Sequence, residues 1–128
     1  MPETHAETHR LVLPGHLNHY GFLFGGRLLG WVDEACWIVA SIDFPDCTFV
    51  TIAMDEVEFR HSVREGTILS IRCEKEKVGR TSVSYLVTVH DVHRPEVPAI
   101  FGTRVTLVNV DENGEKAEIV DGGSGIKD

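Results

Sequence analysis

Hydrophobic residues recur along this chain with two different periods, and the longest hydrophobic segment has the period of a helix. The pattern turns helical at Phe24, and 11 of the 15 residues from 28 to 42 are hydrophobic. These residues lie on all sides of the predicted helix, which is typical of a helix that is buried all round. Pro45 follows the segment and ends it, since proline cannot continue a helix.

Most of the remaining chain alternates between hydrophobic and polar residues, which predicts strands. One strand precedes the helix and four follow it. The first strand covers 9–13, and the later ones cover 48–59, 67–78, a segment with Val83, Tyr85, Val87 and Val89 on one face, and 100–110.

Two local features refine this prediction. The alternation in the second strand changes phase near Asp55, which predicts a bulge. Asn113 and Gly114 form a tight-turn pair, so 116–120 is predicted to pair back. Short links favour antiparallel strands. The sequence therefore predicts an α+β fold, a curved antiparallel sheet wrapped around one central helix, in a single domain over 1–128 with a flexible tail from about 121.

Charge narrows the possible partners. The chain carries 20 acidic and 12 basic residues, a net charge of -8. Because nucleic acids and anionic membranes favour clustered positive charge, neither is expected as a partner. Segment 60–80 is the exception, with six bases and three acids. It is either a solvated strand face or a binding surface for a phosphorylated ligand. The apolar segment is shorter than the roughly 20 residues of a membrane span, so no transmembrane helix is predicted.

Cysteine and histidine positions suggest neither disulfides nor a metal. The three cysteines are irregularly spaced without a CxxC motif, and the first residues lack a signal-peptide pattern. We therefore expect free thiols and a cytoplasmic protein. The pairs His16/His19 and His90/His93 have metal-like spacing, but no matching cysteine or carboxylate set accompanies them.

The helix contains a carboxylate at a position where its hydrophobic pattern predicts an apolar residue. Asp33 lies seven residues after Gly26, which places both on roughly the same helix face. A buried carboxylate is costly unless it is paired or used, so Asp33 is either a catalytic group or a structural residue at a subunit interface. Gly25 and Gly26 lie at the helix start, where free amides attract negative charge. They are either an anion-binding site or a sterically required turn.

The segment NHYGFLFGGRLLGWVDEA resembles the signature of hotdog-fold acyl-CoA thioesterases, and VEFRHSVREGTIL, VGRTSVSYLVTV and IFGTRVTLVNVDENGE resemble later segments of that family. The resemblance implies a hotdog fold that hydrolyses fatty or short-chain acyl-CoA to the free acid and CoA. It implies that Asp33 is the general base or nucleophile and that the amide of Gly25 or Gly26 stabilises the oxyanion. Asn18 would place the water or carbonyl, together with an aspartate of the partner subunit, unless it is a turn residue.

The same resemblance implies where coenzyme A binds and how the chain assembles. Arg80, Thr81, Ser82 and Lys77 would lie near the CoA nucleotide, although the first three also suit a plain surface turn. Arg104 is a weaker candidate of this kind. CoA enters as part of the substrate, and no separate cofactor or metal is expected. The family implies a homo-oligomer, at least a dimer and often a hexamer built as a trimer of dimers.

Two departures from the family pattern concern substrate preference. His16 stands where an acidic residue is usual, and Ser62 stands where a proline is usual. The loop GHLNHYG is also similar to the Gly-His-Asn loop of the 4-hydroxybenzoyl-CoA thioesterase branch of the fold, but FGG…DEA matches the acyl-CoA hydrolase branch better. The alternative functions are a non-catalytic acyl-CoA-binding or regulatory module, and a hotdog dehydratase, whose loop is built differently.

Overall fold

The computed structural model describes residues 5–120, and the predicted tail at 121–128 lies outside them. One strand, one long helix and four further strands follow each other in the predicted order. They are β1 (His5–Leu11), α1 (Gly25–Asp43), β2 (Phe49–Phe59), β3 (Ile68–Val78), β4 (Ser82–Asp91) and β5 (Phe101–Asn109), with a short 3-10 helix at Pro14–His16. The predicted bounds of β1 are wrong, because it pairs with β3 from His5 onward, beyond the hydrophobic pattern.

The five strands form one antiparallel sheet in the order β1-β3-β4-β5-β2, which confirms the predicted α+β architecture. Alternate residues of β3 and β4 face the helix as predicted, and their side chains are buried. They are Leu69, Ile71, Cys73, Val83, Tyr85, Val87 and Val89. Each large apolar side chain buried in this way stabilises the fold by about 1.5–3 kcal/mol. Within the described residues β2 pairs on one side only, so it is an edge strand.

The prediction that the helix is buried all round is wrong. Val32 and Cys36 are fully buried, whereas Trp37, Ile38 and Ile42 are exposed, Ile42 to 72%. A single sheet covers only one side of a helix, and nothing within residues 5–120 covers the other side. The apolar outer side of α1 is therefore open in one copy of the chain.

The bulge predicted near Asp55 is confirmed. The pairing of β2 with β5 shifts between Asp55 and Glu58, and Glu56 has a φ of 55°, in the left-handed region where non-glycine residues are rare. The tight turn is also confirmed, with Gly114 at a φ of 80°. The return of 116–120 is limited to one bridge, between Val110 and Lys116.

Candidate functional site

The loop before the helix is shaped by the side chain of Asn18. Its Oδ1 accepts hydrogen bonds from the amides of Tyr20, at 2.9 Å, and Phe22, at 3.1 Å. Gly21 completes the turn with a φ of 87°, which glycine adopts readily. The Asn18 side chain therefore shapes this turn through its Oδ1. Its Nδ2 makes no hydrogen bond to any residue from 5 to 120 and remains available to a ligand.

The N-terminus of α1 has no side-chain cap. Phe24 precedes the first helical residue, and its side chain has no polar atom. The amides of Gly25 and Gly26 have no acceptor in the described part of the chain. A Cβ atom at Gly25 would lie 3.2 Å from the ring of Phe59, closer than most Cβ contacts. This glycine lets the backbone pack against the ring while its amide stays free for an anion.

A cavity of about 350 Å³ opens at this helix start. The structure brings two predicted site residues to it, Asn18 and Gly25. Its other lining residues are Phe22, Leu23, Leu28, Phe59, Arg60, His61, Ser62 and Val63. Gly26 follows on the helix and is exposed. The sequence analysis did not single out Arg60 or His61 as site residues, because they lie 42 or more positions from Asn18 along the chain.

Asp33 lies further along α1, away from this cavity. It is half-buried, and its Oδ1 accepts a hydrogen bond from the Thr51 hydroxyl at 2.6 Å. Seven residues of helix separate it from Gly26, about 10 Å. The sequence analysis missed Thr51. In the sequence Thr51 is a single threonine at an inward-facing position of β2. Hydrophobic periodicity cannot identify the side chain to which its hydroxyl donates.

Glu34 is occupied at the surface of the helix. It forms an ion pair with Arg10, whose guanidinium also lies over the Trp31 ring, 5.4 Å from its centroid. His16, which replaces the family's acidic residue, packs edge-on against the same ring at 5.0 Å. This cluster fixes β1 and the 3-10 helix on α1.

The predicted nucleotide-binding residues occupy the turn between β3 and β4. Arg80 is highly exposed, and its Nε lies 3.6 Å from Glu118. Ser82 pairs with Val108, whereas Val89 pairs with Phe101 beside the cavity, so about seven residues of strand, roughly 23 Å, separate the turn from the cavity. Thr81 and Lys77 lie at the same end. The structure therefore does not bring these four residues to Gly25 within one chain.

All three cysteines are free, as predicted. The sulfurs of Cys36 and Cys73 lie 3.7 Å apart in the core. Their shared hydrogen bond, together with burial, raises the pKa of Cys36, and the same bond lowers the pKa of Cys73. Between residues 5 and 120, no three histidine, cysteine or acidic side chains converge on a possible metal position. No described helix has the length and apolarity needed to cross a bilayer.

Comparison with other sequences gives consistent matches. The sequence profile of the thioesterase superfamily matches residues 20–97. A Zymomonas mobilis protein named as an acyl-CoA thioester hydrolase is 33% identical over 112 residues, which cover 85% of this chain and 74% of that protein. Mouse acyl-coenzyme A thioesterase 11 is 31% identical over 86 residues, 67% of this chain. This chain spans only 14% of the length of the mouse protein.

Solved structures share the architecture. A hexameric hotdog fold thioesterase of Campylobacter jejuni superposes with a TM-score of 0.75 at 31% identity, covering 93% of this chain and 92% of that one. A Staphylococcus aureus acyl-CoA hydrolase in complex with butyryl coenzyme A and coenzyme A superposes with a TM-score of 0.78 at 25% identity, covering 91% and 70%. Structures of that hydrolase include alanine mutants of an asparagine, an aspartate and a threonine.

Proposed function

Because this chain belongs to the thioesterase superfamily and has a hotdog fold, we propose that it hydrolyses acyl-CoA thioesters. Water adds its oxygen to the carbonyl carbon, the carbon–sulfur bond breaks, and the products are a carboxylic acid and CoA. The observation that carries this proposal is the uncapped start of α1, where the free amide of Gly25 lies at a cavity that Asn18 lines and the free amide of Gly26 follows on the helix.

The free amides account for stabilisation of the oxyanion. The carbonyl oxygen gains negative charge as the carbon becomes tetrahedral, and amide donors aimed at that charge lower the barrier. The helix dipole adds to this effect. The amide of Gly25 or Gly26 is the donor in this proposal, and the Nδ2 of Asn18 places the attacking water or the carbonyl.

Asp33 supplies the base or the nucleophile. Its Oδ1 is held by the Thr51 hydroxyl, and its Oδ2 makes no hydrogen bond to the described residues. The free oxygen either takes a proton from water or attacks the carbonyl to form a mixed anhydride. The Staphylococcus hydrolase structures carry alanine mutations of an asparagine, an aspartate and a threonine, and these are also the residue types of Asn18, Asp33 and Thr51.

Two copies of the chain are needed to complete this site. Asp33 lies beside Thr51, near the start of β2, whereas Gly25 lies beside Phe59, at the end of the same strand. If β2 pairs antiparallel with β2 of a second copy, the start of one strand lies beside the end of the other. Asp33 of the second copy then approaches the cavity formed by Asn18 and Gly25.

The unpaired edge of β2 supports such an assembly. Exposed apolar side chains cluster along the strand and on the adjacent side of α1, and water-exposed edge strands of this kind favour pairing with another chain. They are Val50, Ile52, Val57, Phe59 and Trp37, and we call them the edge surface. The Campylobacter relative is hexameric, which supports a homo-oligomer built from such dimers.

Pairing through the edge surface also places the Arg80 turn of the second copy near the cavity of the first. In one chain it lies at the far end of the strands from Gly25, and antiparallel pairing brings the turn of the second copy to the same end as the cavity. Arg80, Thr81, Ser82 and Lys77 of that copy then lie where the CoA nucleotide can reach them. Arginine binds phosphate with two parallel hydrogen bonds.

Release of free thiol from acyl-CoAs of graded chain length tests the activity. Turnover on at least one ester supports the proposal and ranks the substrates. Bound CoA without turnover on any ester would instead indicate a non-catalytic acyl-CoA-binding module.

A complementation experiment tests the shared site. Asn18→Ala and Asp33→Asn are each expected to inactivate the chain. In a mixed dimer, the first variant supplies Asp33 and the second supplies Asn18 to one intact site. Recovery of activity after unfolding and refolding the mixture supports two-copy sites, whereas a mixture as inactive as its components contradicts them.

A further inference from the structure

A second cleft adjoins the candidate cavity, and two arginines line it. It encloses about 210 Å³, and we call it the arginine cleft. Its lining residues are Ser62, Val63, Arg64, Thr67, Asp91, Arg94 and Ile100. Ser62 and Val63 also line the cavity at Gly25, so the two spaces share a wall. A ligand that leaves the cavity over these two residues enters the arginine cleft.

Among the described residues, neither arginine has a carboxylate partner. Arg10, Arg60 and Arg104 each pair with a carboxylate, but within residues 5–120 no carboxylate oxygen lies within 4.0 Å of Arg64 or Arg94. Asp91 shares the cleft, and its Oδ1 accepts the hydrogen bond of a nearby amide. Two unpaired guanidinium groups in one cleft repel each other, and a bound anion would remove that repulsion.

A ring contact holds Arg64 in place, and backbone hydrogen bonds hold Arg94. The Arg64 guanidinium lies 4.8 Å from the centroid of the Phe22 ring, which attaches it to the loop of Asn18. Arg94 lies in a turn between β4 and β5, where its amide donates to the Asp91 carbonyl at 3.0 Å and its own carbonyl accepts from Val97 at 3.1 Å. These contacts present both side chains to the cleft.

The groups that line the cleft suit a phosphate. Guanidinium groups bind phosphate oxygens with strong, paired hydrogen bonds, and the hydroxyls of Ser62 and Thr67 are further donors. The chain as a whole is acidic, with a net charge of -8, so the positive charge of the cleft is local.

We propose that the arginine cleft binds a phosphate group of the coenzyme A nucleotide while the thioester lies at Gly25. This inference rests on the proposed function, and it joins Arg94, which no sequence pattern singled out, to Arg64 of the basic segment 60–80. The pantetheine arm crosses Ser62 and Val63, and Arg64 and Arg94 hold the phosphate. The contact comes from the same copy that supplies Gly25, unlike the Arg80 contact, which requires the second copy.

Kinetics on two matched substrates test the proposal. Arg94→Gln is the test variant, because Arg94 contacts no aromatic ring that shapes the catalytic loop, and Lys116→Gln removes one charge near the opposite end of β5. Each is assayed on the best acyl-CoA and on the N-acetylcysteamine thioester of the same acid, which has no phosphate. We expect Arg94→Gln to raise KM for the CoA ester on the order of tenfold without changing kcat or the kinetics on the short thioester. Lys116→Gln should match the wild type.

Two kinetic results would overturn the proposal: an unchanged KM for the CoA ester, or an equal loss on the short thioester, which would indicate a distorted catalytic loop. Calorimetric titration with CoA is independent of turnover. Weaker CoA binding by Arg94→Gln supports the cleft even if no ester is hydrolysed and the proposed function fails, and unchanged binding overturns it. ADP binding that needs Arg94 but does not compete with CoA would assign the cleft to a free nucleotide and overturn it as well.

Discussion

Replacing Thr51 with valine removes the hydroxyl that holds Asp33 and keeps the size of the side chain. The hydroxyl donates to Oδ1 of Asp33 at 2.6 Å, a short distance typical of a bond to a charged acceptor. If Asp33 is the base or nucleophile, this bond orients its free oxygen. The variant should therefore lose activity although Thr51 itself transfers no proton.

The size of the loss follows from the strength of the bond. A hydrogen bond to a charged group contributes about 1.5–3 kcal/mol. Asp33 is half-buried, so solvent screens part of this, and the lower figure corresponds to roughly a tenfold fall in kcat/KM. The free energy of unfolding should fall by only about 1 kcal/mol, the net contribution of a typical hydrogen bond to stability.

Thiol release from the best acyl-CoA measures this loss, and two further variants control it. Thr51→Ser keeps the hydroxyl and should retain most of the activity. Thr106→Val makes the same chemical change on the opposite face of the sheet, where the threonine forms no hydrogen bond through its side chain to the described residues, and it should behave as the wild type. A Thr51→Val enzyme with wild-type kcat/KM would refute the idea that the hydroxyl positions Asp33.

Three further variants probe the cavity, the core and the assembly. Gly25→Ala should keep the fold, because the exposed Phe59 ring can move, but thiol release should fall on the order of tenfold as a methyl group enters the cavity. Burial and the Asp43 carboxylate raise the pKa of Tyr85, so the folded chain keeps a proton that an unfolded tyrosine loses near pH 10, and stability should fall as pH rises through about 10. Tyr85→Phe should remove that fall, and the lost hydrogen bond should lower the free energy of unfolding by about 1 kcal/mol at neutral pH. Urea unfolding at neutral pH and above about pH 10 would measure both effects. Ile52→Lys puts a charge on the edge surface, where Ile52 is 56% exposed, and should give an inactive monomer in sedimentation; an active monomer would contradict the shared site.

The fold could be predicted because its signals are local. Alternation identified the inward faces of β3 and β4, and the phase change at Asp55 marked the bulge, since both depend on neighbouring residues. The exposed outer side of α1 could not be predicted, because an all-apolar helix carries the same pattern whether the sheet or a second chain covers it. Ile42 is hydrophobic in either case.

Candidate site residues could be selected one by one from the sequence, but their arrangement could not be predicted. Gly25 and Asp33 stand out against the apolar pattern of the helix, and Asn18 precedes a glycine turn. Their separation within one chain depends on how α1 lies along β2, which local patterns do not encode. Thr51 and Arg94 were missed because Asp33 and Arg64, the residues with which the fold groups them, are distant in sequence.

The most direct test of the account is thiol release by Asp33→Asn, measured beside Asp46→Asn, which changes an exposed aspartate after the helix. We expect Asp33→Asn to bind CoA as the wild type does while its turnover falls about 10²–10⁴-fold, and we expect Asp46→Asn to be unaffected. Turnover by Asp33→Asn close to that of the wild type would contradict the central claim and place the chemistry on another residue.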